Sequence, residues 1–123
     1  FIELPSRRRL AYVRPKVEKD DNGKNIITYE GIDNSHKWNR LKTYGAKLVE
    51  NITQGVARDL LLYAMQNMQD MEIVGHVHDE VIIECTPDVS VEQVCELMGQ
   101  TPEWAEGLLL RADGYECAFY MKQ

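Results

Sequence analysis

Cysteine is scarce in these 123 residues, with three in all at Cys85, Cys95 and Cys117. Their number is odd and no pair has CxxC spacing, which argues against a disulfide framework or a structural zinc site and predicts reduced, buried thiols. Long hydrophobic runs are missing too. Apolar residues make up 44% of the chain, yet nowhere do they approach the roughly 18 in a row that a bilayer span requires. No membrane partner is expected. The opening FIELPSRRRL has its basic residues behind an apolar start, unlike a secretory leader, so the expected location is cytoplasmic. There is no internal repeat, low-complexity tract or evident linker, and the length predicts a single domain over residues 1–123 with a modest core.

Basic charge is what the later part of the chain lacks. Residues 1–47 carry 11 Lys+Arg against 6 Asp+Glu, whereas residues 48–123 carry 3 against 14, so balances of +5 and −11 make up the net −6. One part can face a polyanion, and the other gathers carboxylates that need cations or solvent.

What is present reads as mixed α and β structure. LAYVRPKVE and KNIITYEGI flank the turn signal DDNG at Asp20–Gly23 and predict a hairpin over Arg9–Ile32. Pro15 cannot donate to a ladder, so its strand should be an edge or be broken there. Residues 33–44 read as a polar connection anchored by Trp38. Apolar positions Leu48, Ile52, Val56, Leu60, Ala64 and Met68, flanked by Val49, Ala57 and Leu61, predict a long helix from about Gly45 to Met71. On that helix Lys47, Asn51, Gln54 and Arg58 fall within an arc of roughly 60° and form one polar ridge. The runs Glu72–Val77 and Val81–Cys85, separated by His78, Asp79 and Glu80, predict a tight antiparallel hairpin. Ser90 to Gln93 is a capping box opening a helix that Gly99 closes. Pro102 and Glu103 suggest a helical turn, and LLLRADGYECAFYM reads as terminal β structure bent at Gly114.

An aspartate at a hairpin tip is fixed by two strands and open to solvent, which suits a hard-cation ligand. Magnesium takes one or two carboxylates together with phosphate oxygens and water, and in two-metal phosphoryl transfer a shared carboxylate sets the spacing of the ions. Asp79 fits that role, Glu80 is a candidate auxiliary ligand, and a further carboxylate must arrive from a strand that this sequence does not announce. His78 is expected to donate a hydrogen bond to a phosphate or a backbone carbonyl, and His76 to be packed. A transition-metal site at His76 and His78 lacks a third ligand at local spacing.

The order of these motifs resembles the palm of family A DNA polymerases, the class that includes bacterial DNA polymerase I. There a helix with a Gln-Gly-x-Ala-x-Asp pattern, matched by Gln54, Gly55, Ala57 and Asp59, precedes a hairpin bearing His-Asp-Glu, matched by His78, Asp79 and Glu80. The string from LPSRRRLAYVRPKV through KTYGAKLVENITQGVARDLL to GHVHDEVIIE and RADGYECAFY is similar to the phage and prophage branch. The resemblance covers nearly all of the chain. It implies an α+β fold, an antiparallel palm-like sheet with one long and one shorter helix packed on it. It also implies template-directed DNA synthesis, with Asp79 as one of two aspartates binding a magnesium pair, Glu80 an auxiliary acid beside them and His78 near the primer terminus. Gln54 would touch the primer–template minor groove or sugar edge near the active site. Asn51 and Lys47 join it through the helical-face argument, and Arg58 through its charge.

The family's other metal aspartate lies in an Asp-x-Ser-x-Ile-Glu motif that is not found here, nor is its nucleotide-binding fingers helix. The expectation is therefore a fragment holding half of the metal site, inactive alone, whose parent takes primer–template DNA and deoxynucleoside triphosphates. A cut palm exposes apolar area, so a non-native dimer is a further expectation. Two other classes stay open at this point. A single-subunit RNA polymerase palm tends to carry Ser where Glu80 stands, and a noncatalytic nucleic-acid-binding module would use the basic hairpin and the helical ridge with Asp79 as a mere turn residue.

Overall fold

The structure, a computed structural model, describes residues 1–121. It divides into two compact units, Phe1–Val56 and a second that begins at Ala57, with the division falling inside the long helix. The division follows the charge. Counting Glu50 with the first unit gives 11 Lys+Arg against 7 Asp+Glu, a balance of +4, and the remainder of the chain holds 3 against 13, a balance of −10.

In the first unit a short ribbon pairs β1 (Ile2–Glu3) with β2 (Arg9–Leu10), and a three-stranded antiparallel sheet follows in the order β3 (Val13–Lys19), β4 (Asn25–Ile32), β5 (Trp38–Thr43). The β3–β4 hairpin closes where Asp20 Oδ1 accepts the backbone N–H groups of Asn22 and Lys24, the local side-chain bonding that makes Asp a turn former. As expected of a proline-bearing strand, β3 is an edge. Its register with β4 shifts between Val13 and Lys16, so the Arg14–Pro15 step is accommodated as a bulge with Arg14 at φ 46°.

Residues 38–43 are a strand rather than part of a polar connection. Asp33 Oδ1 takes the N–H groups of Ser35 and Lys37 and turns the chain back, and Trp38 to Thr43 then pair in unbroken register with β4. Only Thr43 in WNRLKT is β-branched, so the strand is made by its neighbour and not by its own propensity.

Helix α1 (Gly45–Asn67) is continuous through both the apolar seam and the polar ridge. Its first turn holds no acid and its last turn no base, so nothing offsets the helix dipole and packing must hold it. Leu61, Ala64 and Met68 are buried, whereas Val49 and Ala57, expected on the seam, are exposed. In the second unit β6 (Glu72–Val77) and β7 (Glu80–Glu84) form an isolated antiparallel hairpin, with one register shift between Ile73 and Gly75. Helix α2 (Val91–Met98) begins with both arms of its capping box made: Ser90 Oγ accepts from Gln93 N–H, and Gln93 Oε1 accepts from Ser90 N–H. Pro102 then leads into a 3₁₀ turn at Glu103–Ala105.

The α+β class holds, with antiparallel pairing divided among three small sheets. The segment LLLRADGYECAFYM is not β structure in the described residues. It has no β-branched residue, and β6 and β7 pair only with each other. The cysteines are free as expected but not buried: Cys85 and Cys117 are exposed and Cys95 is intermediate. Among the described residues no helix is long and apolar enough to cross a membrane.

Candidate active site

Val77 pairs with Glu80 across the β6–β7 hairpin, so the loop consists of His78 and Asp79 alone. Two-residue hairpin loops need left-handed backbone to match the strand twist, and that burden falls on His78 at φ 54°. A non-glycine residue there is disfavoured by about 1–2 kcal/mol. His78 cannot share a strand face with His76, which removes the paired-imidazole arrangement. Glu80, placed in the turn by the sequence, is the first residue of β7.

Asp79 and Glu80 are among the residues lining a groove of about 790 Å³ in the second unit, whose walls include Leu60, Ile82, Val94 and Tyr115. Tyr120 lines it as well, with its phenol near the Glu80 carboxylate. Partial desolvation and the neighbouring negative charge of Glu80 push the Tyr120 phenol above its ordinary range. Tyr115 Oη donates to the Met121 carbonyl at 2.6 Å and ties down the terminal segment. Asp79 has no hydrogen bond or ion pair among the described residues. Its oxygens are available to an external cation or donor. No group of three His, Cys, Asp or Glu that could hold a metal occurs among the described residues.

His76 is exposed rather than packed. Its Nδ1 lies 3.2 Å from Arg58 Nη1, and since a guanidinium only donates, Nδ1 accepts and the imidazole is the Nε2–H tautomer. Arg58 is thereby tied to the strand that leads into His78 and Asp79.

The other ridge residues belong to the first unit. Lys47 is exposed and paired with Glu50 at 3.0 Å; that hydrogen bond and the glutamate charge raise its pKa. Lysine in a first helical turn opposes the dipole. Asn51 is half-buried and its amide donates to Tyr12 Oη at 3.0 Å, while Gln54 is exposed.

The chain is 45% identical over 126 aligned positions to the DNA polymerase of Bacillus phage SP02. That alignment covers 99% of this chain and 19% of the phage protein, so the chain spans about a fifth of that relative's length. No protein-family model matches the chain. No solved structure gives a significant match.

Three residues had contacts that their sequence positions did not announce. Gly55 is buried, and a Cβ on it would lie 2.9 Å from Leu4 Cδ1 and 3.5 Å from Arg8 Nη2; Arg8 Nη2 also donates to the Gly55 carbonyl at 2.9 Å. The glycine of the TQGVARD stretch is therefore where the N-terminal ribbon lies against the helix. Asp59 follows Arg58 on the helix and could not be told from a ridge residue by pattern alone, yet it is buried at 7% exposure. Tyr120 sat in a segment read as a strand, and nothing in its spacing pointed to Glu80.

Proposed function

We propose that this chain is part of the palm of a template-directed DNA polymerase of the family A type, in which Asp79 is a ligand of the catalytic magnesium pair. The observation that carries this reading is the 45% identity to a phage DNA polymerase along 99% of the chain, with the His-Asp-Glu hairpin and the TQGVARD helix inside the aligned region. The open carboxylate of Asp79 at the hairpin tip supports it, since a carboxylate without protein partners fits a cation that also takes water and phosphate oxygens. Asp79 would hold the metal, and Glu80, near Tyr120, would stand beside it as an auxiliary acid. When bound, the ion pair supplies charge stabilisation at the attacking and leaving oxygens of nucleotidyl transfer.

The chain's own residues would bind and orient. Gln54 and Asn51 present amides to the primer–template duplex, Lys47 exchanges its exposed Glu50 partner for a phosphate at little cost, and Arg58 adds a cation beside the hairpin. His78 would lie near the primer terminus, its position set by the left-handed turn. The parent's substrates would be primer–template DNA and deoxynucleoside triphosphates. The glutamate at position 80 favours DNA over RNA synthesis within this reading.

Asp79→Asn in the complete gene product should lower template-dependent incorporation by at least about a thousandfold, because a metal ligand is worth several kcal/mol of transition-state charge stabilisation. Incorporation close to the unmodified level would sink the assignment. The isolated 123-residue chain, in which the Asp-x-Ser-x-Ile-Glu motif is not found, should show no incorporation in the same assay.

A further inference from the structure

Directly opposed residues of antiparallel strands share a face of the sheet. The β3–β4–β5 register therefore sets Lys16, Thr28 and Lys42 in one row across three strands, and sets Glu30 and Arg40 in the next row on the same face. The bulge brings Arg14 to that row, where its Nη1 lies 3.1 Å from Glu30 Oε2. The other face holds Val17, Ile27, Tyr29 and Leu41, with Tyr12 edge-on to the Tyr29 ring. One face is apolar; the other carries the ionic rows, bounded by Ile26 at one end and by Ile32 with Trp38 at the other.

On the ionic face four cations, Arg14, Lys16, Arg40 and Lys42, meet two carboxylates, Glu18 and Glu30. Both carboxylates are already engaged. Glu30 accepts from Trp38 Nε1 at 3.3 Å and pairs with Arg14 and with Arg40 at 3.2 Å, contacts that hold it below the ordinary glutamate range. Glu18 accepts the Thr28 hydroxyl at 2.6 Å, and Arg40 Nη1 donates to the same oxygen of Thr28 at 3.0 Å. Lys16 and Lys42 are exposed and have no ion pair among the described residues. Two strand spacings separate them, about 10 Å, so they address different phosphates of one backbone.

We propose that this ionic sheet face is a nucleic-acid contact surface distinct from the helical ridge, on which Lys16 and Lys42 bind the phosphodiester backbone of a DNA duplex. The occupant follows from charge. The first unit carries +4 and the rest of the chain −10, so the net attraction for a polyanion lies in the first unit, and within it the surplus positive charge of this face lies on the two lysines. That the duplex is primer–template rests on the polymerase reading above. The contact is with phosphates and is therefore independent of sequence.

The test is fluorescence anisotropy of a labelled DNA duplex titrated with the 123-residue chain over a salt series starting near about 50 mM. Lys16→Gln with Lys42→Gln should reduce the slope of log affinity against log salt by about two and weaken low-salt binding roughly tenfold, with circular dichroism unchanged. The paired arginine variant, Lys16→Arg with Lys42→Arg, should bind as the unmodified chain does. Three results would overturn the proposal: an unchanged slope in the glutamine pair, no duplex binding at low salt, or aggregation of the glutamine pair with binding intact, which would make the lysines guards of the sheet edges only. The polymerase reading fails separately, through Asp79→Asn and incorporation, and its failure would leave the lysine-dependent slope standing.

Discussion

Gly55 shows how a single hydrogen in place of a methyl group decides a contact. Helix propensity alone says that Gly55→Ala should stabilise α1 by about 1 kcal/mol. The contact says otherwise, because the new Cβ would sit 2.9 Å from a Leu4 side chain that is itself only 2% exposed and has nowhere to go. Overpacking of this kind costs about 1–3 kcal/mol, so the net effect should be destabilising, read as a lowered midpoint in urea. Leu4→Ala in the same chain should recover most of the Gly55→Ala loss, which a purely local helix effect would not. His78 offers the opposite case. His78→Val would place a β-branched residue at φ 54° and should lower stability by about 1–2 kcal/mol, whereas His78→Asn should be tolerated in thermal melts. The His-Asp-Glu tip was legible in the sequence because two β-branched runs leave only a turn between them. The partners of those residues were not, since Tyr120 lies 40 positions from Glu80 and no periodicity links them.

At the scale of elements, the ionic face of β3–β4–β5 makes the sheet sensitive to acid. Glu30 is held below its ordinary value of 4.5 by the Trp38 hydrogen bond, with Arg14 and Arg40 adding to the effect. A depressed carboxylate contributes stability that is present above the unfolded value and is lost as pH falls through the lower folded one. The melting-temperature difference between the unmodified chain and Glu30→Gln should therefore be largest near neutrality and close as pH drops below 4.5. The β3–β4 hairpin and α2 could be read directly, one from DDNG between β-rich runs and the other from a complete capping box. By contrast β5 was hidden, because Trp38, Arg40 and Lys42 look like loop residues until β4 supplies the ladder. The terminal segment was over-read: aromatic residues suggested a strand, but it pairs with no strand among the described residues.

For the whole molecule, the exposed apolar side chains predict association between copies. Leu109 is 97% exposed and Phe119 70%, both beside segments that line the groove. Sedimentation velocity should show concentration-dependent self-association that persists in high salt and weakens with Leu109→Ser and Phe119→Ser, since apolar contacts are not screened. The three-stranded sheet has a different relation to its copies. Its central strand NIITYEGI has the composition of a segment that stacks into cross-β fibrils, and it is shielded on both sides. On one side the guard is β3, whose Pro15 has no N–H to offer and whose bulge breaks the flat edge on which a further strand would template. A single imino ring thus keeps a fibril-competent stretch within one chain instead of letting it seed growth from molecule to molecule.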